Sequence, residues 1–405
     1  MKISYGWVIV GTGMLMTCMG MGSMMSLSIF LDPMSQATGW SRTGISTAMT
    51  LDFLCMGLAA FIWGTLSDRY GTRIVVLLGG LILAAGLLAA SQAESLWQFQ
   101  LIFGIAVGVA AGSFYAPMTS VAIGWMSNHR SLAVALVSAG LSMGSMLLAP
   151  LVRVLINDHD WRFAMMTLGF MALGLVVPAS FLVRQPPVVR QAPGAVPEDD
   201  GYSMTAAQAM RTPQFIAIAL THFACCAAHS GPIFHLVSNA IGCGVPALAA
   251  ASAFGVMGLA ALGGRVICGI AADRIGAKPT LVAGLMVQAL GAFAFLFATS
   301  LGDFYSVGII FGIAYGGVMP LYAILLREYF GQRIMGTTFG AVSMVASIGM
   351  SFGPWAGGFT YDTFSSYSWL YVGSFAAGLG AVAIALTFRP MPARSAPAMA
   401  AARTA

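Results

Sequence analysis

Arg265 is the one basic residue buried within a long apolar run of this chain. It precedes Asp273 by eight residues, about 12 Å of helix, so it sits well inside any membrane that the run crosses. An Arg at bilayer-centre depth costs about 2.5–3.5 kcal/mol on insertion scales and is tolerated mainly where it faces a cavity or a partner. Asp52, sixteen residues before Asp68, is its acidic counterpart. At that depth a carboxyl is a candidate to carry a proton or to pair with Arg265. His222, Cys225, Cys226 and His229 share one helical face at i, i+3, i+4 and i+7. These are soft-metal ligand types, yet residues seven apart lie about 10 Å apart along the axis, so one straight helix cannot enclose an ion. No bound metal is expected, and the pattern reads as Cys packing with His lining a cavity. Either His222 or His229 could relay a proton or contact a ligand.

The elements that position these residues follow from composition. Of 405 residues, 59% are apolar and only 8% charged, with 49 Gly, which excludes a soluble globule and suits helices packed closely in lipid. Hydropathy predicts twelve spans, each long enough to cross a hydrocarbon core: 6–31, 41–64, 74–91, 97–125, 131–154, 163–183, 213–239, 247–271, 279–298, 304–326, 335–359 and 369–388. A Pro-rich stretch with Pro186, Pro187, Pro193 and Pro197 and the acidic run Glu198–Asp200 separates six spans from six. The expected division is a bundle over 1–184, a cytoplasmic linker over 185–212, a second bundle over 213–390 and a disordered tail over 391–405. Counted from a cytoplasmic N-terminus, Lys and Arg number fourteen on the inner side and three (Arg42, Arg153, Arg162) on the outer. That bias places both termini and the linker in the cytoplasm. The first span follows Lys2 without a small-residue cleavage pattern and is expected to be retained.

Basic residues are dispersed over short loops, so the net charge of +5 belongs to topology and implies no nucleic-acid partner. The six Cys show no secreted disulfide pattern. The Gly-rich run from Gly104 to Gly112 lies inside an apolar span and lacks the Gly-Lys-Ser/Thr ending of a phosphate loop, so it reads as a packing face. No cofactor, enzyme constellation or ATP hydrolysis is implied.

Two loops repeat each other. Gly64, Asp68, Arg69, Gly71 and Arg73 recur as Gly269, Asp273, Arg274, Gly276 and Lys278, at an offset of 205 (273 − 68). The chain is therefore two similar halves, expected to be pseudo-symmetric six-helix bundles of an all-α membrane protein. In the loop, Asp can cap or pair near the helix ends while Arg and Lys stay in the anionic interface, forming a charge latch at an inner gate.

With twelve spans, a central linker and this loop after the second and eighth spans, the chain resembles the major facilitator superfamily over its whole length. Further stretches resemble the monocarboxylate transporters and the oxalate/formate antiporters: Tyr5-Gly6-Trp7 opening the first span, Gly39-Trp40-Ser41-Arg42 entering the second, Tyr315-Gly316-Gly317-Val318-Met319-Pro320-Leu321-Tyr322 in the tenth and Glu328-Tyr329-Phe330-Gly331 leaving it. The resemblance implies a secondary carrier of small organic anions working by alternating access. It implies that Arg265 pairs with a substrate carboxylate, and that Tyr115 and Tyr315, in pseudo-equivalent spans, flank it. Tyr322, Met25, Ser28 and His229 complete the expected substrate contacts, and Asp52 and His222 the expected proton-coupling groups.

Departures from the relatives narrow the substrate. The animal transporters carry a Lys and the oxalate carriers a Tyr near Met25, and no Lys or Arg occurs between Ile334 and Thr387, where oxalate carriers have a second cation. One buried cation suits a monocarboxylate; a dianion would leave a charge uncompensated. The 27 Met residues tolerate varied shapes. The relatives' acid one turn before the Arg is Ala261 here, so Asp52 is the expected substitute. The expectation is proton symport of a monocarboxylate by a monomer in a bacterial inner membrane. Anion exchange of the oxalate/formate type is the alternative. Drug or metal export is weakened because the fourth span has no Arg and the fifth offers only Gly140, Gly144 and Pro150.

Overall fold

The computed structural model describes residues 5–126, 130–186, 204–331 and 334–388, with only the backbone for Asp68, Arg130 and Ser131. Most of the expected linker (187–203), the tail (391–405) and the Asp68 side chain of the first loop lie outside the described residues. Among the described residues, twelve helices are long and apolar enough to span a membrane: α1 (Tyr5–Thr38), α2 (Arg42–Ser67), α3 (Thr72–Ala90), α4 (Leu96–Trp125), α5 (Leu132–Asp158), α6 (Trp161–Ser180), α7 (Pro213–Gly242), α8 (Ala247–Ile275), α9 (Ala277–Phe297), α10 (Leu301–Phe330), α11 (Met335–Phe364) and α12 (Ser368–Leu386). The protein is an all-α, multi-pass membrane protein of two six-helix bundles. Hydropathy placed eleven spans within a few residues. The exception is α1, expected to end at 31 but continuing to Thr38. Asp32 and Pro33 end the apolar run there, yet an ion pair with Arg42 compensates the acid in place.

The same contacts recur in both bundles. In lipid, helices gain nothing hydrophobic by meeting, so they associate where small residues let backbones approach. A Cβ on Gly22 of α1 would lie 2.8 Å from the Gly144 Cα of α5, and one on Gly353 of α11 would lie 2.9 Å from the Gly231 Cα of α7. Gly108 of α4 likewise seats against Asp52 of α2, and Gly316 of α10 against Ala261 of α8. The pairs α1–α5 and α2–α4 are thus repeated, six helices on, as α7–α11 and α8–α10.

The loops repeat as well. Gly71 and Gly276 hold φ of 90° and 92°, values a side chain rarely adopts, and each lets one helix turn directly into the next. Arg73, at the start of α3, donates to the Phe181 carbonyl beyond α6 at 2.7 Å. Lys278, at the start of α9, donates to the Phe388 and Leu386 carbonyls ending α12 at 2.7 and 3.2 Å. Arg73 and Lys278 therefore each satisfy orphan carbonyls at the close of their own bundle, an intra-bundle clasp.

Irregular turns sit at mid-depth. α1 breaks at Ser26, whose hydroxyl donates to the Gly22 carbonyl at 2.6 Å. α4 contains a wide turn over Ile102–Val107 and breaks at Ser113, whose hydroxyl donates to the Ala110 carbonyl at 2.7 Å. Each hydroxyl is thereby satisfied by the backbone of its own helix, on a carbonyl that also accepts the Ser N–H.

These contacts predict a contrast between two glycines. Gly316→Ala drives a methyl into the α8 backbone and is expected to cost about 1–3 kcal/mol, lowering the melting temperature in detergent by several degrees. Gly373→Ala in α12, whose added Cβ meets nothing within 4 Å, should melt with the parent; equal melting of both variants would refute the packing role.

Candidate functional site

The break in α4 places Tyr115 at the first residue of its second segment, and Pro320 lies inside α10 just beyond Tyr315. Arg265 projects from α8 across the bundle interface, where its Nη1 donates to the Ser138 carbonyl of α5 at 2.7 Å. Among the described residues this is its sole hydrogen bond, although a guanidinium offers five N–H donors. Tyr115 and Tyr315 both lie within electrostatic reach of its charge. His229 of α7 stacks on the Tyr315 ring, with centroids 5.5 Å apart. The His229 Nδ1 donates to the Cys225 carbonyl at 2.8 Å, which leaves Nε2 as an acceptor in the neutral ring. Arg265, Tyr115, Tyr315 and His229 are therefore brought together from α8, α4, α10 and α7.

Other expected residues are placed differently. Tyr322 is fully enclosed, its ring stacked 3.9 Å from that of His222. Cys225 Sγ lies 3.5 Å from Gln288 Oε1, and the Gln288 amide donates back to the Cys225 carbonyl at 3.1 Å. The His/Cys face of α7 thus packs α7 on α9 and α10. Met25 is buried beside the α1 break, and the Ser28 hydroxyl donates to the Met25 carbonyl at 2.8 Å. Asp52 is not paired with Arg265: it is fully buried against Gly108 of α4, inside the first bundle. Among the described residues neither of its carboxyl oxygens has a hydrogen-bond partner.

A second polar centre, not anticipated from the sequence, lies at the opposite end of the bundles from the repeated loops. Arg42, the first residue of α2, forms an ion pair with Asp32 of α1. Its Nη1 donates to the Tyr367 hydroxyl at 2.6 Å, and the guanidinium sits 3.8 Å above the Tyr361 ring. Asp362 of α11 accepts from the backbone N–H groups of Arg42 and Thr43 at 3.2 and 2.8 Å, and from the Thr43 hydroxyl at 2.6 Å. An acid from one bundle thereby occupies the positive N-terminus of a helix in the other. The one sequence signal was the pair of opposite charges flanking Gly39-Trp40-Ser41, which an α1 ending at 31 would have left in a loop.

Contacts between bundles run from this end to mid-depth. Below Asp362, Thr50 donates to the Ser351 carbonyl at 2.8 Å, and Gly57 faces Ser347. On the other seam, Gly255 faces Met146, Gly258 faces Ser142 and Arg265 reaches Ser138. Among the described residues no hydrogen bond joins the bundles closer to the repeated loops.

The sequence matches the family profile "Major Facilitator Superfamily" over residues 13–354 and 245–404. It is 24% identical to the uncharacterized MFS-type transporter YhjX of Escherichia coli, over 83% of this chain and 84% of that one. To monocarboxylate transporter 13 of Bos taurus it is 25% identical, over 91% of this chain and 85% of the relative. Among solved structures, a bacterial homolog of the human lysosomal transporter Spinster, inward-facing and occupied, superposes with a TM-score of 0.77 at 16% identity, covering 95% of this chain and 97% of that one.

Packing of the α7 face predicts its thiol chemistry. Cys225 and Cys226 are enclosed, whereas Cys243 at the end of α7 is exposed. A maleimide should therefore modify Cys243 in the native protein and leave the pair unreacted until unfolding, as read by peptide mass spectrometry. Rapid native labelling of Cys225 would mean that this face is open.

Proposed function

Because the chain belongs to the major facilitator superfamily, we propose that it is a secondary transporter that carries a small organic anion, a monocarboxylate, by alternating access with proton symport. The protein is a transporter and not an enzyme. The observation that carries the substrate class is Arg265: a half-buried guanidinium with one hydrogen bond, flanked by two phenols and backed by a His acceptor. One spare cation balances one carboxylate, and in a poorly solvating cavity a second negative charge would go unpaired. Tyr115 and Tyr315 can donate hydroxyls to the anion, with His229 beside them to accept from a hydroxyl or acid proton. The name of the bovine relative agrees with this class.

On the loop-charge bias, the repeated loops, both termini and the linker face the cytoplasm of a bacterial inner membrane, and the Arg42 end faces outward. The contacts between bundles then close the outer side, and the bundles over 1–184 and 213–390 are the rocking units. Asp52 carries the co-transported proton within the first bundle, with His222 as a second relay group. Ala261, one turn before Arg265 where symporting relatives hold an acid, is the feature that favours the second reading, exchange of one anion for another.

Uptake of labelled lactate, pyruvate and aromatic acids into proteoliposomes, with and without a pH gradient, tests the proposal. Arg265→Gln should weaken anion binding by about 1.5–3 kcal/mol, about ten- to a hundredfold. Ser28→Ala should transport like the parent, since its hydroxyl is engaged within α1. Saturable uptake of none of these acids would sink the substrate class. A separate measurement addresses coupling: Asp52→Asn should lose acceleration by an inward pH gradient, and unchanged pH dependence would remove Asp52 from that role.

A further inference from the structure

Asp32 combines three properties that no other acid among the described residues shares. It is buried in α1 with its side chain 5% exposed, it forms the ion pair with Arg42, and Arg42 is the residue that reaches into the other bundle. It also lines a cavity of about 410 Å3 that it shares with Gln36, Arg153, Asn157, Asp160 and Trp161. Gln36, Asn157 and Asp160 are exposed at the Arg42 end, so the cavity leads from the surface to Asp32 while the bundles stay in contact. Asp52, by contrast, is fully enclosed.

We propose that Asp32 is a proton-binding site that controls the gate at the Arg42 end. A proton arriving through the cavity converts the carboxylate to a carboxylic acid, Arg42 keeps its own proton but loses its counter-charge, and the latch from α2 to α11 and Tyr367 is released. The guanidinium is aimed by Asp32: one nitrogen holds the carboxylate, which leaves Nη1 for the Tyr367 hydroxyl. Without the carboxylate, a desolvated cation is left with aromatic rings and one phenol, and hydration through the cavity becomes the better solvation.

Other groups around Asp32 define the alternatives. Arg153 of α5 lies near enough to act on its charge, and the Ser238 hydroxyl of α7 faces it. Tyr361 and Asp362 belong to α11 and touch Arg42. Asp160, at the start of α6, lies across the cavity. His235 of α7 is buried with Nε2 2.9 Å from the Pro354 carbonyl and its ring 4.9 Å from that of Tyr367, which makes it the rival proton sensor.

The inference rests on the transporter reading, but its test needs no substrate. In a Cys243→Ser background, Thr50→Cys places a thiol between α2 and α11 below the latch, and its labelling by an impermeant reagent from outside reports gate opening. Labelling should rise several-fold from neutral to acidic medium. Thiol reactivity itself falls in acid, so a rise reports access. Asp32→Asn should label rapidly in both media, and Tyr367→Phe, which keeps both charges, should label faster than the parent at neutral pH. His235→Gln should keep the response. The proposal is overturned if Asp32→Asn retains the parent's pH response or stays slow in both media, if Tyr367→Phe labels like the parent, or if His235→Gln abolishes the response. Should Asp32→Asn not reach the membrane, Arg42→Gln takes its place: it should label rapidly and independently of pH, and slow or parent-like labelling would overturn the proposal equally. Loss of anion uptake with labelling intact would instead count against the substrate reading alone.

Discussion

A desolvated guanidinium must be partnered, and, among the described residues, the two that reach between the bundles meet this constraint in opposite ways. Arg42 is charge-paired: a carboxylate, a phenol hydroxyl and the face of a second aromatic ring surround it. Arg265 holds a single backbone carbonyl. A charge-paired cation is suited to be a fastener, because any change costs a desolvated charge its partners. One held by a carbonyl alone is suited to be a receptor, because a carboxylate would supply what the carbonyl cannot, a charge-assisted and bidentate contact.

The contacts within and between bundles differ in balance, although Gly358 of α11 also seats on the Thr43 backbone of α2 across the bundles. Inside each bundle, Gly seats one backbone on another at α1–α5, α2–α4 and their repeats, and Arg73 and Lys278 tie the loop starts to the bundle ends. Such contacts cannot slide without a clash, which suits each bundle to move as a block. Between bundles, the seams rest on hydroxyls, small residues and the Arg42 network. Hydroxyl contacts can be exchanged for water at small net cost, which suits a seam that opens and closes.

Most of this architecture was legible in the chain. Duplication was readable because Asp, Arg and Gly at fixed spacing have few other reasons to recur, and Arg73 and Lys278, at matching positions of the two loops, both clasp carbonyls at the close of their bundles. The Gly104 to Gly112 run was rightly a packing face: Gly108 and Gly112 lie on α2 backbone. The Asp32–Arg42 centre was not legible, since hydropathy scores a charge as an ending and has no means of knowing that a partner ten residues on will neutralise it. For the same reason Arg265 was found and its Ser138 partner was not: a backbone carbonyl has no sequence signature. Asp52 was rightly placed at depth, but the face it presents, toward Gly108 and away from Arg265, is set by how α2 packs on α4.

Broken symmetry completes the logic. Both bundles carry the same clasps and the same close helix pairs, yet the cations between them stand at two depths, on the two seams. Arg265 joins α8 to α5, and Arg42 joins α2 to α11. Under the proposed function, an anion at Arg265 would compete with the Ser138 carbonyl and so weaken one seam directly, while leaving the other tied at its far end. A carrier whose two seams answered to one ligand would open whenever that ligand bound. With the seams held by separate cations, the proposed carrier would open at the Arg42 end only when both were released, and the α2–α11 latch, out of reach of the anion, would have to answer to something else.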